Sequence, residues 1–502
     1  MFTRLSGIGI PLVSLMFASA CVDTQVSETQ PALSVDQRVA ACAADPRVIA
    51  GTVSVDICVG ADLFLRETFA GNGRSCATCH RVDHNFTIDA AFISKLPPDD
   101  PLFIAEQDPA LAGLEIPAQM RGRGLILENV DGFAPDPTVN FVLRAVPHNL
   151  SMGTSVTPSP FDPVTSPPER TGWSGDGAPN AGTLRDFQTG AIIQHYTQSL
   201  DRIEGEDFRL AVDGELDRIE LFMKKLGRTN ELALAAVAMT DAGAEAGRVT
   251  FLSVGCNGCH GNAGANASFG GGGNRNFNTG VEDARNAELA GFPRDGGFLH
   301  DPNPAGGFGN GTFNTPPLVE AADTGPFFHT DTTISGASAH DAPTATTIEE
   351  AIAFYDTPAF KNSPSGRAVR DLTAEEIDNM GRFLRGVNAA FNAQLALKRL
   401  DAARALVLRF GNHEVAMQRE MLRLANVEVI DAIDDLLGQA SLNDDARLAL
   451  VRARTLIDGA RGATSPVIRL AAILVARDSV AYGNSKLGTN LSFEIGDGTV
   501  MF

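Results

Sequence analysis

Basic side chains are the first shortage in this 502-residue chain: 40 Lys and Arg stand against 61 Asp and Glu, a formal net charge of -21. That balance argues against nucleic acid or an anionic membrane surface as a partner. It suits either attraction of a basic redox protein or solubility alone. Long apolar runs are missing after the first twenty residues, so no later stretch is long and apolar enough to cross a membrane. Cysteine and histidine are scarce, with seven and nine copies, and tryptophan occurs once, at Trp173. Also absent are a small-period repeat, a thioredoxin-like βαβ context, and the extra ligand pairs that would make a C-x-x-C half of a zinc site.

What the chain does hold is one pentapeptide twice. Cys76-Ala77-Thr78-Cys79-His80 recurs as Cys256-Asn257-Gly258-Cys259-His260, and C-x-x-C-H is the attachment motif of c-type haem. On a helical turn two thiols three residues apart lie on one face. Both can add to the vinyl groups of one porphyrin, and the next residue offers an imidazole to the iron. The expected cofactors are therefore two covalently bound haem c groups, held by Cys76, Cys79, Cys256 and Cys259, with His80 and His260 as iron ligands.

Residues 1–20 carry one charge, Arg4, and an apolar run from Ile8 to Phe17 before Ala18-Ser19-Ala20. This reads as an export signal, too short to span a bilayer as a mature helix. Phe17 to Cys21 also resembles a bacterial lipobox, with Ala18 where leucine is favoured, so lipidation of Cys21 competes with simple cleavage. Either outcome implies an exported protein, periplasmic or anchored as a lipoprotein at the outer membrane of a Gram-negative bacterium. Cys42 and Cys58 are left over. In an oxidising compartment they form a disulfide or stay as two buried thiols.

Length predicts roughly three domains, and periodicity predicts a mainly α fold. Helices are expected over residues 60–66, 183–200, 209–226, 244–253 and 347–355, with another opened by the capping box Thr373-Ala374-Glu375-Glu376 and running through Val387 or beyond. Residues 22–31 read as a tether. The stretch 129–168 reads as loop-rich, and residues 269–344 as long loops, beginning at four consecutive glycines. Long irregular stretches are unusual unless a cofactor packs against them. Residues 391–478 read as an appended helical bundle, with partner docking, a homodimer contact or a structural cap all open as roles. Short strand-like pieces are the most that residues 483–502 suggest. His84, four residues past His80, fits a surface or propionate-contacting role better than a second iron ligand.

Together, Cys76-Ala-Thr-Cys-His80 with Phe86-Thr87, Trp173 with Asp176-Gly177, Gly255-Cys-Asn-Gly-Cys-His260, Thr315-Pro316, Thr324-Gly-Pro-Phe-Phe-His329 and Ala353-Phe-Tyr355 resemble the bacterial di-haem cytochrome c peroxidase and MauG superfamily. The resemblance runs from about Ala61 to Val387. It implies two cytochrome c-like haem domains with long loops, over residues 61–235 and 236–390, preceded by a signal (1–20) and a tether and disulfide segment (21–60), and followed by a helical extension (391–502). It also implies a peroxide site on the first haem, electron transfer through the second, and Trp173 between them, a residue that could equally be core. Tyr355 takes the position where the peroxidases carry methionine and MauG-like members tyrosine. A phenolate ligand would stabilise higher oxidation states of that iron, and the competing reading is a packed aromatic. Where the family places a glutamine and a glutamate over the open iron face, only Gln188 is near register. Calcium between the domains is in doubt, because the asparagine ligand is matched by Ala145, although Thr324 and Pro326 match the main-chain ligands.

Splitting peroxide needs a group that moves a proton between its oxygens. The candidates are His148, Gln188 and His195, each of which could also be a satisfied structural residue. Three activities compete. One is reduction of hydrogen peroxide by electrons from a small cytochrome c or cupredoxin. Another is a MauG-like oxidase or oxygenase acting on a protein or organic substrate. The third is a di-haem electron carrier without catalysis.

Overall fold

Hydroxyl and carboxylate caps start the helices nearest the first motif. Ser34 forms a capping box with Gln37 at the head of α1 (Val35–Ala43), and Ser54 caps α2 (Val55–Arg66). In this computed structural model the described residues are 33–129, 141–155, 157–158, 169–170, 184–265, 276–297, 311–336, 338–438 and 442–502. The disulfide Cys42–Cys58 ties α1 to α2. It closes a loop of 16 residues, and such a loop stabilises a fold by about 3 kcal/mol through the unfolded chain. Cys42→Ser should lower the urea unfolding free energy by roughly that amount; an unchanged midpoint would show the tie to be neutral.

The fold is mainly α. After α2 come α3 (Cys76–Cys79), an antiparallel pair β1 (Leu125–Asn129) and β2 (Phe141–Ala145), then α4 (Leu184–His195), α5 (Asp213–Lys224), α6 (Ala242–Ser253), α7 (Cys256–Cys259) and α8 (Ile348–Ala353). The strands pair in register from Leu125 opposite Ala145 to Asn129 opposite Phe141. This corrects the loop reading at its start: Phe141-Val142-Leu143 is a buried apolar run with a partner to pair with.

Each C-x-x-C-H turn follows a helix that crosses another at very close range, and the two crossings match. A Cβ on Gly60 would lie 1.9 Å from the Arg218 carbonyl oxygen of α5, so only glycine permits that approach. Four residues on, Phe64 meets Phe222, itself four beyond Arg218, with ring centroids 5.3 Å apart. In the second unit a Cβ on Gly247 would lie 1.9 Å from the Asn379 carbonyl oxygen, and four residues on Phe251 meets Phe383 at 5.7 Å. The same glycine-then-phenylalanine lock is thus built twice.

Asn379 and Phe383 belong to α9 (Ala374–Phe410), opened by the Thr373 and Glu376 capping box. This helix crosses the expected boundary between residues 390 and 391 unbroken, because Phe391, Leu395, Ala396 and Leu400 keep its buried face continuous. It packs on α10 (Val415–Leu437), which is followed by α11 (Asp444–Gly462) and α12 (Pro466–Ser485). Polar side chains are buried between α9 and α10. Asn392 Nδ2 donates to Asp323 Oδ2 at 2.8 Å and to Asp435 Oδ2 at 3.3 Å, and Asn388 Nδ2 donates to Asp435 Oδ2 at 2.8 Å. Arg399 donates to Glu428 and to the Leu424 and Thr499 carbonyls.

The last residues return to the first motif. Gly488–Thr489 pairs with Ala238–Met239, Arg47 Nη1 donates to the Met501 carbonyl at 2.6 Å, and the Phe502 ring stands edge-on to Phe86 at 5.0 Å. Among the described residues no helix is long and apolar enough to cross a membrane. Residues 1–32, including Cys21, lie outside the described residues.

Candidate functional site

Both motifs fold as single helical turns, α3 and α7, with the histidine just past the end. Ser75 begins α3: its N–H donates to Thr78 Oγ1 at 2.9 Å and its hydroxyl to the Leu65 carbonyl at 3.1 Å. At α7, Asn257 Oδ1 accepts from the Asn262 N–H at 2.8 Å, which holds the chain as it leaves the turn. All four motif thiols are unpaired, whereas Cys42 and Cys58 are joined. Burial pushes the Cys76 thiol up to about 11, and Cys79 and Cys256 to about 12. Such groups are protonated at neutral pH, unlike the acidic thiols of redox motifs.

The two histidines are held alike. His80 Nδ1 lies 3.0 Å from the Phe86 carbonyl oxygen, and His260 Nδ1 lies 3.0 Å from that of Pro316. A carbonyl only accepts, so Nδ1 carries the hydrogen and Nε2 keeps the lone pair. A metal-binding imidazole is commonly oriented this way. Burial depresses both rings to about 4, which keeps them neutral and able to coordinate.

Both motifs line a single cavity, with about 450 Å³ open to the centres of water-sized molecules. His148, Gln188 and His195 lie on its wall, and the first and last are close enough to His80 to oppose its protonation. Each presents a buried polar atom with no hydrogen-bond partner among the described residues: His148 Nδ1, Gln188 Oε1 and His195 Nδ1. Gln194 Oε1, on the same wall, is a fourth. Orphaned polar atoms cost about 1–3 kcal/mol each, so four around one cavity mark a place for an occupant that can bond to them. Gln188 Nε2 touches Met223 Sδ at 3.5 Å. Burial holds the His148 imidazole below its ordinary value. Trp173, with Asp176, lies outside the described residues.

Beside the second motif, Tyr355 lines the cavity and stands edge-on to Phe354 and Phe360. Burial, with the Cys256 and Cys259 sulfurs nearby, pushes its phenol up, so the group is a neutral phenol unless a metal displaces the proton.

Several cavity residues escaped the sequence reading. Glu128, from β1, lines the wall and lies 3.2 Å from His195 Nε2. No carboxylate had been assigned to this cavity from the sequence. The signal for Glu128 was a lone acid at the end of the apolar run Leu125-Ile126-Leu127. Tyr196 donates to Cys76 Sγ at 3.1 Å. Met380, from α9, shares the cavity with Tyr355 and His260. His84 is half-buried, stacks on Phe92 and lies 3.4 Å from Asp89. The expected calcium ligands do not fit that ion. Ala145 has no side-chain donor, its N–H is bonded to the His329 carbonyl at 2.8 Å, and neighbouring Arg144 is paired with Asp295. Thr324 and Pro326 line the cavity.

The described thiols and imidazoles fit two covalent haem groups on the chemistry of the donor set. Each motif brings two free thiols, one neutral imidazole with a fixed tautomer, and an apolar wall. Zinc is the weaker match, because among the described residues no three His, Cys, Asp or Glu side chains are grouped to hold a metal ion by themselves. Comparison with protein-family models, curated proteins and solved structures gives no match.

Proposed function

We propose that this chain is an exported di-haem c-type oxidoreductase with two cytochrome c-like units, reducing hydrogen peroxide at the first motif with electrons that arrive through the second. One observation carries the reading. Two carbonyl-anchored, neutral histidines, each following two free thiols, line one cavity whose wall carries four buried polar atoms without a partner among the described residues. Bound haem c supplies an iron that can accept peroxide and the redox change at each site.

Hydrogen peroxide takes up two electrons and two protons and leaves as two waters. The chain's part in this is positional and protonic. His80 and His260 are fixed through Nδ1 by Phe86 and Pro316. His195 and Glu128 form a pair that can hold a proton and pass it to the cavity, and Gln188 Oε1 can accept a hydrogen bond from a peroxide oxygen. The acidic balance suits a small electron donor with a basic face, a cytochrome c or cupredoxin. A lipid on Cys21 would tether the exported chain to a membrane.

Tyr355 favours a second reading, MauG-like oxidation of a protein or organic substrate. Met380 in the same cavity is the rival ligand, and methionine is the choice that raises the potential and suits a peroxidase. Spectra of Tyr355→Phe and Met380→Leu separate them, since only the true ligand's variant shifts the low-spin haem. The wild-type ferric protein should show one high-spin haem that binds cyanide and one low-spin haem, with peroxide turnover on addition of reduced cytochrome c. Two low-spin haems in both redox states would leave only electron carriage. Glu128→Gln should lower peroxide turnover by about 10²-fold at unchanged haem content; full activity would remove Glu128 from the proton path.

A further inference from the structure

We infer that α12 is the contact through which two copies of this chain pair. Its buried side, with Ile473, Ala476 and Val480, packs into the helical bundle. Its outer side is apolar as well: Val467 is 74% exposed, Ile468 62%, Leu474 42%, Val475 40% and Tyr482 53%, with Ala471 exposed among them. These positions recur at three, four and seven residues, so they form one stripe along the helix. It runs for about 22 Å at 1.5 Å per residue. Scattered apolar residues on a surface need no explanation, but a continuous stripe on one helix does.

Charge selects the occupant. The whole chain carries -21, so two copies repel wherever their acidic surfaces meet. Residues 444–485 depart from that balance, with six arginines against four aspartates and no lysine or glutamate. On α12 itself Arg469 is buried against Gln418, and Arg477 is paired with Asp401 of α9. Asp478 is then the exposed charge on the stripe, with Lys486 drawn over the Tyr482 ring at its far end. An apolar stripe whose one exposed charge is a carboxylate offers little to an anionic lipid surface. It matches a second copy of itself.

A two-fold axis beside Leu474 and Val475 makes the match antiparallel. Tyr482 of one copy then covers Val467 of the other, and Asp478 faces the small Ala471. The two Asp478 carboxylates stay about 10 Å apart along the axis. Each patch meets its own copy, as a closed dimer requires.

Sedimentation of the full-length protein between 1 and 100 μM tests this. Wild type should sediment at twice the chain mass. Leu474→Asp combined with Val475→Asp should weaken association at least 100-fold, while Val249→Asp, an exposed site on α6, leaves it unchanged. If the double variant loses its far-UV helix signal, Val475→Cys decides instead: mild oxidation should give a covalent dimer that Val249→Cys does not give. A monomeric wild type at 100 μM overturns the proposal, as does a dimer untouched by the α12 changes. So does a wild type that stays monomeric but pellets with phosphatidylglycerol vesicles, which would make the stripe a membrane contact.

Discussion

Replacing Cys76 and Cys79 by serine should give an exported chain with one covalent tetrapyrrole instead of two, and no peroxide turnover above background. The expectation rests on local geometry. The two thiols share one helical turn, neither is paired with another cysteine, and His80 follows with its Nδ1 already committed to Phe86. Serine retains size and polarity but cannot form a thioether. The companion variant, Cys256 and Cys259 to serine, should also lose one tetrapyrrole, yet keep a cyanide-binding high-spin site at the first motif. Mass measurement of the intact chain reads the first outcome and ferric spectra the second. If both variants keep two tetrapyrroles, the motifs are not attachment sites and the proposed function fails with them.

The second large effect concerns stability and is independent of any cofactor. Burial holds the Asp323 carboxyl up at about 6, and burial together with the neighbouring Asp323 charge raises Asp435 well above the usual range. Asn392 donates to both, so the two carboxyls are close neighbours. Glu428 and Asp431, on the same helix as Asp435, are raised too, and Asp323 adds to the repulsion on each. A carboxyl whose folded value lies above its unfolded value of 3.8 holds a proton that the unfolded chain releases. Its contribution is full below about pH 4 and is lost as pH rises through about 6. For Asp323 alone the shift corresponds to about 3 kcal/mol. Asp435→Asn removes one of the opposed charges and keeps an oxygen to accept from Asn388 and Asn392. At pH 7.5 the variant should be more stable than wild type by about 1–3 kcal/mol, with the difference vanishing near pH 4. Thermal unfolding at the two pH values measures it, and a variant that is equally or less stable at pH 7.5 would sink the account.

Features set by short spacing were legible in the sequence. The two C-x-x-C-H turns, the Thr373 capping box and the helices at residues 184–195 and 242–253 each depend on residues within a turn or two. The Cys42–Cys58 disulfide was one of two readings left open for that pair, and the structure forms it. Features set by distant partners were not legible. Glu128 reaches the cavity only because β1 pairs with β2, and Met380 only because α6 locks onto α9. Gly60 with Phe64 and Gly247 with Phe251 were in plain view as one repeated spacing. Nothing local shows, however, that each glycine faces a carbonyl on another helix. The helix opened at Thr373 was left open past Val387, and how far α9 runs could not be read locally, since its buried face is continuous only against α10 and the closing residues.

Those closing residues have a bearing on biogenesis. Phe502 braces Phe86, whose carbonyl fixes His80, and Met501 is held by Arg47 across 454 positions. A chain emerging from the ribosome presents Cys76 and Cys79 long before that brace is made. On the proposed haem reading, a maturation enzyme would therefore meet the first motif as an open, unpacked strand of polypeptide, and the pocket around it would shut only once residues 501 and 502 had reached it.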